Sequence, residues 1–293
     1  MTTFFWMLAN VCLAQEDFSW WEKIHQWDGH TPWHQYLTIS PAYFGPNALP
    51  VPEFLNGRID SSATLEIAGS YTFSKGDKTK DFYTCGMLPL FSERMAIALD
   101  VIPYEWFATD TVTRDVRAAR TRSGKGGAGG DIYIHFLFQL IRDRESIPDL
   151  LFRTCFRLPS GTNLRNARYT DAPGYFFDVS AGKNFKLANS TVRPYVLCGF
   201  YVYQTYDLRH LQNDCLLYGA GADIHFGKFI LGQSVGGYRG YQENGDSPVV
   251  YRANIRLVNQ RFDWKLSYQN GMHDYDFQRL RLSLIFHMSS PVK

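Results

Sequence analysis

The chain has 293 residues, 45% of them hydrophobic, 16% aromatic and only 20% charged, with a net charge of +2. It is too apolar and aromatic to be disordered, and its charge is too balanced to suit a nucleic-acid partner. No uncharged apolar run reaches the ~18–20 residues of a membrane-spanning helix, whereas the abundant Phe, Tyr and Trp favour strands. Two classes remain: a large soluble β-domain, or a membrane β-barrel whose hydrophobicity is hidden by alternation.

From the start, residues 1–14 read as a signal peptide, with an apolar run from Phe4 to Leu13 and with Cys12 and Ala14 at −3 and −1 of the cleavage site. Residues 15–61 hold Trp20, Trp21, Trp27 and Trp33, then Pro46, Pro50 and Pro52, which remove ladder donors. The stretch 34–44 alternates like a strand, but counting it would make the strand number odd. The whole segment is therefore expected to be periplasmic and to reach into a lumen as a partial plug. Its tryptophans suit anchoring at the barrel mouth, the membrane interface, or a periplasmic or outer-membrane protein partner. His25, His30 and His34 have no carboxylate or cysteine that completes a metal site.

From residue 62 onward apolar and polar side chains alternate with period two. Leu280, Leu282, Leu284, Phe286 and Met288 share one face of a strand, and Arg279, Arg281 and Ser283 the other. Phe262, Trp264 and Leu266 oppose Asp263, Lys265 and Ser267 in the same way. Strands are expected at 62–74, 81–91, 94–107, 130–142, 149–158, 173–183, 192–205, 214–226, 228–239, 249–258, 262–271 and 276–288. They run to roughly 10–13 residues, against the usual ~5–6 of globular sheets, and match the ~9–11 that cross a bilayer at a tilt. The expected fold is all-β: a transmembrane antiparallel up-and-down β-barrel of about twelve strands over 62–288, with 289–293 as a periplasmic tail. The longest connections, 108–129 and 159–172, then fall on the outer side, and the tightest turns, 92–93 and 227, on the inner side. Cys85, Cys155, Cys198 and Cys215 lack metal-ligand spacing and read as small apolar strand residues, with disulfide pairing left open.

The chain from 62 to 288 resembles the outer-membrane β-barrels of Gram-negative bacteria. Several stretches are similar to a family of uncharacterised outer-membrane barrels: Pro41–Pro52 (PAYFGPNALPVP), Gly124–Asp131 (GKGGAGGD), Tyr169–Asp178 (YTDAPGYFFD) and Asn244-Gly245-Asp246. The resemblance implies fold and outer-membrane location, and no activity.

Alternation points Glu66, Asp100, Asp131, His135, Arg153, Arg157, Asp178, Asp223, Arg252, Arg256, Lys265, Arg279 and Arg281 into the lumen. Cationic last strands facing acids elsewhere give either a narrow solvated pore with a transverse field or a salt-bridged, closed core. The long outer loops carry Arg114, Arg117, Arg120, Arg122, Arg165 and Arg168, which suit the phosphates of lipopolysaccharide or form an ordinary solvated surface. The Gly124–Gly130 run lacks the following helix and Lys-Ser/Thr pair of a phosphate cradle and reads as a hinge. No cofactor motif is present. A hydrolase acting on peptide or lipid is the alternative to a channel or structural role, with Asp207, His210, Asp246, His273 and Asp274 mapping to the outer rim. The one His-x-Ser pair, His287-Met288-Ser289, falls at the periplasmic end, far from the outer leaflet.

Overall fold

The computed structural model describes residues 16–91 and 94–288. The expected signal peptide, the 92–93 turn and the 289–293 tail lie outside the described residues. Fourteen strand segments follow in order: β1 (Ala63–Ser74), β2 (Asp77–Leu90), β3 (Met95–Thr109), β4 (Lys125–Ala128), β5 (Ile132–Ile141), β6 (Asp149–Leu158), β7 (Gly174–Gly182), β8 (Phe185–Leu187), β9 (Ser190–Gln204), β10 (Gln212–Phe226), β11 (Phe229–Arg239), β12 (Val249–Leu257), β13 (Phe262–His273) and β14 (Gln278–Met288). They make twelve staves, because β4 and β5 pair consecutively along β3, and β7 and β8 along β9. All pairings are antiparallel, and β14 returns to β1 with Ala63 opposite Met288 and Phe73 opposite Gln278. The barrel is closed, so its sheet keeps no long free edge.

The alternation decides which side each residue faces. Leu280, Leu282, Trp264 and Leu266 are exposed on the outside, while Arg279, Arg281 and Asp263 between them are buried inside. A belt of large apolar side chains in contact with water would be strongly unfavourable, so this exterior belongs in lipid. No helix among the described residues is long and apolar enough to cross a membrane; the crossing is made by strands.

The N-terminal segment enters the lumen, and its first part packs at the mouth that carries the long connections. Residues 37–59 are largely buried within the barrel. Residues 16–43 pack on the long connections: the Trp21 indole donates to Ala118 O (2.9 Å), Ser40 Oγ to Asn244 O (2.9 Å) and Ala42 N to Gly245 O (3.3 Å). Arg58 then pairs with Asp143 and Asp149 at the short-turn mouth, where β1 begins. The segment is thus a thread running from mouth to mouth of the barrel. Strand parity fixes where β1 starts and says nothing about the route of the chain before it.

Two backbone approaches make room for the thread. Gly57 adopts φ +89° against Gly182, where an added Cβ on Gly182 would stand 2.2 Å from Asn56 O. Gly219 and Gly236 leave a hollow for the Phe54 ring.

Candidate functional site: the threaded lumen

The thread divides the lumen into two unlike sides. On β6, β7, β9, β10 and β11, the side chains Cys155, Phe176, Leu197, Tyr201, Leu217 and Tyr238 pack directly on Leu37, Ile39, Phe44, Leu49 and Val51. Proline-rich backbone has few internal hydrogen bonds, so its carbonyls must be met by the wall. Tyr238 OH donates to Leu49 O (2.8 Å), Arg157 Nη1 to Ala48 O (2.7 Å) and Arg193 Nε to Asn56 O (3.0 Å). Arg153 pairs with Asp178 at 2.7 Å, and Arg157 approaches Asp131 at 3.9 Å.

Mainly beside β12–β14 and β1–β3, but reaching Tyr133, His135, Arg153, Tyr195 and Asp223 on the other strands, a cavity of about 520 Å³ remains between thread and wall. Its lining extends from Pro248, Tyr275 and Phe277 toward the long-loop mouth to Asp60, Thr64, His225 and Arg256 toward the short-turn mouth. Across it lie Lys265–Glu66 (3.7 Å), His135–Asp100 (2.5 Å) and Arg252–Glu53 (3.5 Å), with Arg281 4.2 Å over the Tyr83 ring. Arg252 Nη2 also donates to Val51 O (2.6 Å), and Asn56 Nδ2 to Asp223 (2.8 Å). The thirteen residues expected to line the lumen all lie on its inner face. Arg157 is sealed against the thread and Asp178 against Arg153 rather than facing open space; Glu66, Asp100, Arg252, Arg256 and Lys265 meet partners of opposite sign, whereas Asp223, Arg279 and Arg281 are hydrogen-bonded to neutral groups.

Near the long-loop end a buried polar clamp holds the thread. Asn47 donates to Glu105 (2.7 Å) and to Asp81 (3.4 Å), and accepts from Arg279 (2.5 Å). Glu105 takes Arg168 at 2.7 Å and the Tyr169 hydroxyl at 3.1 Å, while Asp77 takes Arg117 at 2.5 Å and Arg168 at 2.8 Å. Burial works against the Arg168 charge, yet Glu105 and Asp77 hold its proton above the ordinary arginine range. Asn47 and Glu105 were absent from the sequence-derived candidates. A lone asparagine inside a proline-rich apolar run was the available signal.

Above the clamp, α1 (Ser19–His25) and α2 (Thr111–Val116) form a cap. Trp21 is fully buried, and Arg120 stacks over Phe18 at 4.0 Å, with Trp21, Trp27 and Trp33 within 6 Å. Burial lowers the pKa of His25, with Asp115 opposing that shift. The Asp28 carboxyl is held at about 2 by the Thr31 hydroxyl and the His30 and Thr31 amides.

Three of the six loop arginines expected to face lipopolysaccharide phosphates are turned inward by the cap and clamp. Arg114, Arg117 and Arg168 are buried: Arg114 against Trp20 (4.3 Å) and Asp115, the other two in the carboxylate clamp. Their charge is spent inside the protein. Arg120 is enclosed by aromatic rings, Arg165 meets Glu16 at 2.7 Å on the surface, and Arg122 is exposed.

The five rim residues of the hydrolase alternative do sit around the long-loop mouth, but as turn formers. Asp246 is buried and accepts from Asn213 (2.6 Å) and Gln242 N (2.9 Å); Asp274 accepts from Ser247 N (2.6 Å). Asp207 holds the Arg209 amide (2.9 Å), and His210 stands exposed beside the Tyr241 ring. His273 leans on Ser247 O (2.9 Å) and Asp274 (3.1 Å). Each carboxylate accepts a backbone amide, from its own loop for Asp207 and Asp246 and from the neighbouring loop for Asp274, and none is hydrogen-bonded to a histidine from another loop among the described residues. Among the described residues Cys85, Cys155, Cys198 and Cys215 are free, with Cys155 and Cys215 buried. No cluster of metal-ligating side chains occurs among the described residues.

No protein-family model and no curated relative matches the sequence. Solved structures do match in shape. An outer-membrane channel from Pseudomonas putida superposes with a TM-score of 0.51 at 11% identity, over 82% of this chain and all of that one. The fold is that of the bacterial outer-membrane barrels. A KdgM porin (TM-score 0.48, 9% identity, 76% of this chain and 99% of that one) and LpxR from Salmonella typhimurium (0.48, 10%, 76% and 100%) are similar at a lower level.

Proposed function

We propose that this barrel is an occluded, narrow conduit of an outer membrane, in which small polar solutes pass between the thread and the ionic wall. The observation that carries the reading is the cavity itself. It lies between thread and wall along much of the lumen, and among its apolar and aromatic lining stand acids and bases from several strands, including Glu66, Asp100, Asp223, Arg252, Lys265 and Arg281. Ordered opposite charges at close quarters favour water and small dipolar solutes over large or single-sign ions. The long loops and the cap then face outward, in keeping with the asymmetry of such barrels.

Planar-bilayer recording tests this. The full chain is expected to give a low conductance. Deletion of residues 16–59 should raise it severalfold, in a variant whose folding is checked by heat-modifiable gel mobility. A folded deletion variant that stays at baseline would sink the conduit and leave a purely structural barrel.

A further inference from the structure

A second constellation lies at the short-turn mouth and takes no part in the conduit. His287 Nε2 is 2.9 Å from Asp263 Oδ2, and His287 Nδ1 is 3.1 Å from Ser62 Oγ. Asp263 is fully buried; its Oδ2 also meets Arg256 Nη2 at 2.6 Å and its Oδ1 accepts from Asn259 N at 2.8 Å. The tautomer with its proton on Nε2 donates to this carboxylate, which the Arg256 guanidinium and the Asn259 amide also hold in place. The lone pair on Nδ1 is then directed at the Ser62 hydroxyl. A nucleophile hydrogen-bonded to a base, with the base oriented by a buried carboxylate, is the arrangement that activates a serine.

Barrel closure builds it. Ser62 precedes β1, Asp263 lies on β13 and His287 on β14, and the closing β1–β14 pairing sets Thr64 opposite His287. Asp263 is sealed, whereas the His287 side chain is 23% exposed and Ser62 is half-buried. An ion-pair clasp between the last strands would need only His287 and Asp263; the hydroxyl on the remaining nitrogen is what that role leaves unexplained.

We propose that Ser62, His287 and Asp263 form a hydrolytic centre for carboxylic esters of small soluble alcohols that enter from the short-turn mouth. Soluble esters fit better than bilayer lipid, because Asp263 and His287 occupy inward register positions while their neighbours Trp264 and Met288 face outward. Ser62 Oγ bonds to the ester carbonyl carbon as its proton passes to His287 Nδ1. The bond from carbon to the alcohol oxygen breaks, and the same nitrogen protonates the departing alcohol. A water molecule, giving its proton to His287, then displaces Ser62 from the acyl carbon; the carboxylic acid leaves and Oγ regains its hydrogen. Ser62 and His287 are the catalytic residues, and Asp263 is a positioning residue.

The refolded full chain is assayed with p-nitrophenyl acetate and butyrate, and with a fluorophosphonate probe mapped by mass spectrometry. Hydrolysis and labelling of Ser62 are expected. Ser62→Ala, which removes one hydroxyl and should keep the heat-modifiable mobility, and His287→Ala should each cost about 10²–10⁴-fold in rate. Asp263→Asn should lower kcat while leaving KM unchanged, which a merely structural role would not produce. A full chain that neither hydrolyses nor labels, or a Ser62→Ala protein with the parent rate, would overturn the proposal. Conductance is a separate readout, so either reading can fail without the other.

Discussion

The two sides of the lumen are built from the same strand pattern yet behave as different materials. On β6–β11 tyrosine, leucine, phenylalanine and cysteine side chains pack on the thread, and the arginines among them, Arg153, Arg157 and Arg193, are buried on carboxylates or on thread carbonyls. On β12–β14 and β1–β3 arginine, lysine and carboxylates are frequent, and beyond the Asn47 clamp and the Arg252 contact the thread leaves a cavity beside them. Dehydrating a charge is costly unless its partner is held in good geometry, whereas dehydrating a tyrosine face gains free energy. The thread therefore adheres to the side that gives up water cheaply and leaves water on the side that does not. The thread's own residues show the two environments: Phe44 lies within the apolar cluster, Leu49 and Val51 stand between that cluster and the cavity, and Glu53 meets Arg252.

Substitutions on each side test this division. The largest effect is expected from Phe44→Ala, which empties a fully buried site on the dry side and should cost about 3–5 kcal/mol in urea unfolding. A loss below ~1 kcal/mol would mean that the thread is not anchored by apolar packing. Tyr238→Phe leaves the Leu49 carbonyl without its donor and should cost about 1–3 kcal/mol, with faster trypsin cleavage at Arg58 as the companion readout. On the ionic side, Lys265→Gln breaks a partly hydrated pair with Glu66 and should change stability by about 0–1 kcal/mol while altering the ion selectivity of the conductance. Equal destabilisation by Lys265→Gln and Tyr238→Phe would erase the distinction.

The smallest effect concerns acid. Docking of α1 favours neutral His25, because burial lowers its pKa below the ordinary 6.5. The undocked segment binds a proton first as pH falls, so the cap is fully stable above about 6.5 and loosens below it. Trypsin cleavage at Lys23 should accelerate between pH 7.5 and 5.5, and His25→Phe should remove that response. Cleavage that changes only near pH 4 would point to carboxylates instead.

Period-two alternation made the barrel legible: each of the twelve expected strands corresponds to a stave, and β6 matches its expected bounds. The route of the segment before β1 was not legible, since tryptophans and prolines suit either mouth. The arginines of the long loops looked like surface cations because loops have no periodicity from which to infer burial. Their partners Asp77 and Glu105 lie on strand ends distant in sequence, and only folding joins them. The chemistry at His287 was hidden for a similar reason, since His287-Met288-Ser289 drew attention to the adjacent serine, whereas Ser62 lies at the other end of the barrel sequence. By contrast, two of the family-like stretches do meet: Ala42 N donates to Gly245 O. Such stretches reflect where the thread is seated rather than a catalytic motif.

Because β1 pairs with β14 around residues 37–59, the molecule is a ring closed on a rod. A rod held this way cannot leave sideways without unzipping a seam of eleven paired residues. It can only slide along its own axis or be present before the ring shuts. Assembly is therefore ordered: residues 16–43 must reach the far mouth either before the first and last strands zip together or by passing end-on through a finished pore. A pulling force applied to the cap would accordingly be transmitted straight down the thread to Arg58 and the start of β1, making the barrel a mechanical link between its two faces.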